Sequence, residues 1–200
     1  MSILKNSTIV VAGVVVSNLL GYAAHFIAGR WLGPEEYGEF GALMALFVMV
    51  ALPAWALNSA VTKFTSRFYA ENRLTEIAVL RKKMQKDVLI FSAAILLIII
   101  LCSPWIADFL KISSALPVII IGFTLVFALL MPLNRGILQG MKKFRILSVN
   151  TIIEAGARLV LLAFFLFLGQ GVIGAILAYG LAYFIAFWRC SPILRKPKRE

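Results

Sequence analysis

The chain has 200 residues, of which 62% are hydrophobic and only 14% charged, with a formal net charge of +11. Soluble domains average about 45–50% apolar and about 25% charged residues, so a soluble globular fold is excluded and the class is integral membrane. The positive charge is no nucleic-acid footprint, because the cations sit in the gaps between apolar stretches, where topology accounts for them.

Taken in chain order, residues 6–29, 40–62, 88–107, 112–134 and 159–188 carry no Asp, Glu, Lys or Arg. The first run follows Lys5 and has the outline of a secretory signal. It is too long for one, and Arg30-Trp31 stands where a small-residue cleavage site would be needed, so an uncleaved first helix is expected. The last run is too long for one span, and Gly169-Gln170-Gly171 divides it as a turn would. Its first part joins the apolar stretch from Ile146, giving a span that contains Glu154 and Arg158. Six transmembrane helices are therefore predicted, at about 8–28, 40–61, 88–106, 115–133, 147–168 and 172–188. The runs are continuous and do not alternate, which excludes a β-barrel. The fold class is all-α, a single six-helix membrane lobe over 1–200.

Orientation follows from lysine and arginine. With the N-terminus inside, all of the 20 cations except Arg30, Lys111 and Arg158 fall on the inner side. Both termini are then cytoplasmic, and the chain is a multi-pass protein of the cytoplasmic membrane. Residues 63–87 form the longest inner connection; they extend the second helix and return along the membrane surface, or make a plain solvated loop. Cys102 and Cys190 fall near opposite membrane surfaces, too far apart to pair, and read as small packing residues.

No catalytic constellation is present: there is one histidine, no phosphate-cradling glycine loop and no metal-type Cys/His spacing. The chain is not expected to be an enzyme, and no cofactor or metal is expected. Any transport must run downhill, use an ion gradient or depend on a partner.

The strongest polar signal is in the fifth helix. Asn150, Glu154 and Arg158 are spaced i, i+4, i+8 and share one face, with Thr151 beside them. Arg158 lies about 16 Å deep, near the midplane, where a lone arginine costs at least about 2.5–3.5 kcal/mol. Two readings follow: a cationic site for an anionic headgroup, tuned or proton-coupled by Glu154, or a buried pair that locks helices together. The first helix has a second polar face, Asn18, Tyr22, His25 and Gly29, with Ser17 and Gly21 adjacent. His25 is there either as a titrating coupling group or as a hydrogen-bonded packing residue. Asn58 and Thr62, beyond a kink at Pro53, are weaker candidates.

Two segments carry a resemblance. Ala28-Gly29-Arg30-Trp31-Leu32-Gly33-Pro34-Glu35-Glu36-Tyr37-Gly38 resembles the turn after the first span of polysaccharide-biosynthesis flippases. These belong to the multidrug/oligosaccharidyl-lipid/polysaccharide exporter superfamily. Arg135-Gly136-Ile137-Leu138-Gln139-Gly140, through Lys143-Phe144, resembles that family's loop between helices four and five, and Gly171-Val172-Ile173-Gly174-Ala175 is typical of the start of helix six. The resemblance implies one lobe of a MATE/MOP-like transporter that moves a lipid-linked oligosaccharide or polysaccharide precursor by alternating access. Its partners would be membrane lipid and a polyprenyl-linked oligosaccharide whose anionic carrier meets a cationic cavity. Arg158 suits that role, with Arg30 at the outer rim. Members usually hold two six-helix lobes, so a homodimer or a separate second lobe is implied. The alternatives are a cation-coupled drug exporter of the same superfamily, using Glu154, and a non-transporting subunit or truncated remnant.

Overall fold

The computed structural model describes residues 2–195, with side chains from Thr8 to Ser191. Six helices follow one another: α1 (Ser2–Trp31), α2 (Gly33–Ala70), α3 (Leu74–Leu110), α4 (Leu116–Gly140), α5 (Phe144–Phe167) and α6 (Gly171–Arg195). Each is long and apolar enough to cross a membrane. Lys5, Arg195, Lys196, Lys198 and Arg199, which entered the orientation argument, lie outside the described side chains.

The helices are longer than the predicted spans. A run free of charge marks only the hydrocarbon crossing, whereas the helix continues into the polar layer on ion pairs of its own. Residues 63–87, expected as a connecting segment, are helical except for Glu71–Arg73. Arg67 and Glu71 pair at 2.9 Å across one turn, and Arg73 pairs with both Glu71 and Glu76. Hydrogen bonds from Arg73 and then Arg67 hold the Glu71 carboxyl below the usual carboxylate range. The segment from Arg135 to Gly140 is likewise no loop but the last turns of α4, and only Met141–Lys143 link it to α5.

Four of the helix ends use the same device, one of them at Gly169, where the Gln170 N–H closes on the Phe165 carbonyl. Asn72, Lys111 and Lys142 adopt left-handed backbone angles, and the N–H of the next residue closes on a carbonyl five positions back: Arg73 on Phe68, Ile112 on Ala107, Lys143 on Leu138. These turns leave room for an immediate reversal, so consecutive helices run antiparallel.

α4 is the hub, packed against α2, α3 and α6, and most of its residues are buried. Its contact with α2 depends on Gly136 and Gly140, one small residue per turn on the same face. A Cβ at Gly136 would stand 2.9 Å from the Asn58 carbonyl oxygen, and one at Gly140 would stand 2.6 Å from the Thr65 Cβ. Asn58 and Thr62 belong to this seam. The Asn58 amide donates to the Pro132 carbonyl at 2.9 Å, and Thr62 Oγ1 donates to the Asn58 carbonyl at 2.8 Å. The Asn58 bond crosses from α2 to α4; the Thr62 bond stays within α2, and Thr62 Oγ1 reaches across to the Gly136 carbonyl at 3.3 Å.

On the other flank α1 packs chiefly against α5, and α5 against α6. α1 buries a stripe of small residues, Gly13, Ser17, Ala24 and Ala28. Ser17 satisfies its hydroxyl on the Gly13 carbonyl, while Ser148 of α5 reaches back to the Ile9 carbonyl. At the far end, Gly33 has φ +72 and joins α1 to α2, with Pro34 in the first turn of α2. Glu36 stands at the start of α6, where a Cβ on Gly171 would lie 2.8 Å from its carboxylate; the helix dipole favours an anion there. The free cysteines are far apart in the fold, Cys190 buried among Leu138 and Met141 and Cys102 half-buried on α3.

Candidate functional site

α5 presents its polar face inward. Asn150 and Glu154 are buried, at 3% and 6% exposure, and Arg158 is only partly reached by solvent. Asn150 donates to the Ala186 carbonyl of α6 at 2.9 Å, a cross-helix bond that sets the amide orientation. Glu154 accepts a close hydrogen bond from Arg135 of α4 and lies 3.8 Å from Arg158 on its own helix. The sequence pattern foresaw the i, i+4 pair with Arg158. It did not foresee that Arg135 is the nearer partner, because Arg135 follows a charge-free run and reads as a loop cation.

One carboxylate thus serves two guanidinium groups, and the cluster carries one positive charge in excess. Burying a single charge in apolar surroundings is prohibitive unless it is paired, and here the pairing is incomplete by one unit. Arg158 compensates through its planar face: its Cζ lies 5.0 Å from the Tyr179 ring centroid on α6. Such a stack contributes about 0.5–2 kcal/mol, depending on desolvation. Tyr179 stacks edge-on against Phe40 of α2 at 5.7 Å, and Phe40 is 6.0 Å from the His25 ring. Tyr179 was invisible to sequence reasoning, since an aromatic residue in an apolar run gives no sign of which helix it will face.

Arg158 lies roughly 20 Å along α5 from Phe144, well inside the span. Its outer edge meets α1 at Gly21, where a Cβ would stand 3.5 Å from Nη2. Asn18 and His25 occupy the turns on either side of Gly21. Both are exposed, as are Gly29 and, at 76%, Tyr22. The polar face of α1 therefore does not pack inside this bundle; it borders Arg158 and opens outward. Arg30 is exposed in the last turn of α1, about 13 Å along the helix from Gly21, and the fold does not bring it to the cluster. Among the described residues no group of three His, Cys, Asp or Glu side chains is placed to hold a metal.

A family model described as polysaccharide biosynthesis protein matches residues 3–193. An uncharacterised membrane protein of Methanocaldococcus jannaschii is 28% identical over 192 residues, covering 92% of this chain and 43% of that protein. A MOP superfamily transporter from Pyrococcus furiosus, described as having a binding pocket of reverse polarity, superposes with a TM-score of 0.84 at 18% identity, over 96% of this chain and 44% of that one. An outward-facing multidrug resistance MATE family transporter gives 0.81 at 19% identity, again over 96% and 44%. The fold is that of six helices of a MOP transporter, and the chain spans less than half the length of the relatives it matches.

Proposed function

Because this chain belongs to the polysaccharide biosynthesis protein family, we propose that it supplies one lobe of a flippase-type transporter. That transporter moves a lipid-linked oligosaccharide across the cytoplasmic membrane by alternating access. The observation that carries the reading is the cluster of Arg135, Glu154 and Arg158, deep in the bundle with one positive charge in excess. An anionic polyprenyl carrier supplies the missing negative charge, and it reaches Arg158 from the side that α1 leaves open. Asn18, Tyr22 and His25 line that side and offer hydrogen bonds to sugar hydroxyls. Both chain ends face the cytoplasm in this reading, and a second six-helix lobe, a further copy or a separate chain, closes the cavity across from α1.

Drug export coupled to a cation would use Glu154 as the coupling group. Glu154 is already engaged by two guanidinium groups on two helices, which suits a counter-ion better than an exchangeable acid. The anionic substrate is favoured on that ground.

The test is binding of a polyprenyl-pyrophosphate-linked oligosaccharide to the protein in nanodiscs. Arg158→Ala should weaken it by about tenfold or more, the worth of a charge-assisted contact, with Arg158→Lys recovering part. Equal binding by the wild type and Arg158→Ala, both folded, would remove Arg158 from the site. It would also favour a non-transporting subunit whose polar faces merely pack.

A further inference from the structure

A second recess, mainly apolar but edged by polar side chains, lies away from the Arg158 cluster, between the first turns of α5 and the last turns of α6. It has a volume of about 200 Å³ and is lined by Arg145, Ile146, Val149, Asn150, Arg189 and Cys190. Arg145 is the second residue of α5, and Arg189 directly follows the charge-free run that ends at Trp188. Both therefore stand at the depth where a membrane helix passes from hydrocarbon to headgroups. Their side chains are exposed, and no carboxylate pairs with either among the described residues.

Asn150 sits deeper in the recess. Its Nδ2 is committed to the Ala186 carbonyl, which points the amide one way, and its Oδ1 is buried with no hydrogen-bond donor. A buried acceptor left unpaired costs about 1–3 kcal/mol, so the recess has a standing demand for an O–H or N–H group. The lining thus holds two cations at the mouth, one unfilled acceptor below, and an apolar wall of Ile146 and Val149, the latter 42% exposed. Basic recesses between membrane helices at the headgroup level bind anionic lipid heads, and the unfilled acceptor narrows the choice.

We propose that this recess binds an anionic phospholipid whose headgroup carries a free hydroxyl, a phosphatidylglycerol-type lipid. Its phosphodiester lies between Arg145 and Arg189, its headgroup hydroxyl donates to Asn150 Oδ1, and its glycerol backbone rests on Ile146 and Val149. The occupant is a lipid of the surrounding bilayer. The site is separate from that of the transported substrate, and it clamps α5 to α6 at the end opposite their turn.

The experiment is native mass spectrometry of the delipidated full chain, titrated in turn with phosphatidylglycerol, phosphatidylethanol, phosphatidylcholine and free glycerol phosphate. Phosphatidylglycerol should bind most tightly, with phosphatidylethanol, a monoanionic phosphodiester without a free hydroxyl, several-fold weaker and phosphatidylcholine weaker still. Arg145→Gln with Arg189→Gln should lower phosphatidylglycerol affinity about tenfold or more. Lys82→Gln with Lys83→Gln, which removes equal charge from exposed positions of α3, should leave it unchanged. All four positions are exposed, so thermal unfolding without lipid should not separate the two double variants. Equal loss in both would mean attraction to surface charge in general and overturn the proposal. So would phosphatidylcholine binding as well as phosphatidylglycerol, or free glycerol phosphate competing at equal concentration, which would make the ligand a soluble phosphate. Phosphatidylethanol binding as tightly as phosphatidylglycerol would overturn the hydroxyl's contact with Asn150.

Discussion

The polar faces of α5 and α1 have the same grammar and opposite fates. Asn150, Glu154 and Arg158 recur at one-turn spacing, as do Asn18, Tyr22 and His25. The α5 face is turned into the bundle, where each member has a partner on its own or another helix. The α1 face is left exposed while small residues on the other flank of the helix do the packing. Helical periodicity determines which residues share a face. It says nothing of the direction in which that face points, because the direction is chosen by which flank can approach a neighbour closely. On α1 that flank is Gly13, Ser17, Ala24 and Ala28. On α5 the pairing demand of a charged residue overrides the apolar alternatives.

The sharpest way to break this comparison is Glu154→Ala. It leaves Arg135 and Arg158 buried with no carboxylate between them, and loss of one member of a buried pair costs about 3–5 kcal/mol. Thermal unfolding in detergent should show the largest drop of any single polar substitution on either face. Arg135→Met in the same chain should restore part of it. Next in size is Gly13→Val, whose Cβ would meet the Ser148 Cβ at 2.7 Å. Forcing α1 off α5 should cost about 1–3 kcal/mol and open the edge of Arg158, read as faster hydrogen exchange in both helices. Asn150→Ala removes one cross-helix hydrogen bond and should cost about 1 kcal/mol in the same unfolding assay. Asn18→Ala and His25→Ala should fall within about 0.5 kcal/mol of the wild type, as exposed substitutions do, while weakening substrate binding. A large stability loss in either would mean that α1's polar face packs after all.

The spans were legible in the sequence because hydrocarbon disfavours charge: four crossings announced themselves as charge-free runs, while the fifth, holding Glu154 and Arg158, was parted from the sixth only by Gly169-Gln170-Gly171. Their true length was not legible, since helices persist past the last apolar residue on pairs such as Arg67–Glu71. The Leu-Gly-Pro-Glu-Glu segment resembled a turn after the first span and does join α1 to α2, but that Glu36 also stands at the head of α6 depends on a contact between distant parts of the chain. Arg158 and Glu154 were found through their cost in a membrane. Arg135 was missed because charge counting assigns a cation after an apolar run to a loop. The Gly136 and Gly140 pair that continues α4 beyond it was the available signal.

The account rests most heavily on the exposed face of α1 being one wall of a watery cavity and not a lipid-facing surface. Single cysteines at positions 18, 22 and 25, in a chain with Cys102 and Cys190 replaced, can be challenged in intact membranes with a charged maleimide. Positions 19 and 26, apolar, exposed on α1 at 63% and 68% and turned about a quarter of the way round the helix from the polar stripe, serve as references. Labelling at 18, 22 and 25, slowed by the lipid-linked substrate and absent at 19 and 26, is the predicted result. No labelling at any of the three, with ready reaction towards an apolar maleimide, would place this face against lipid and contradict the account.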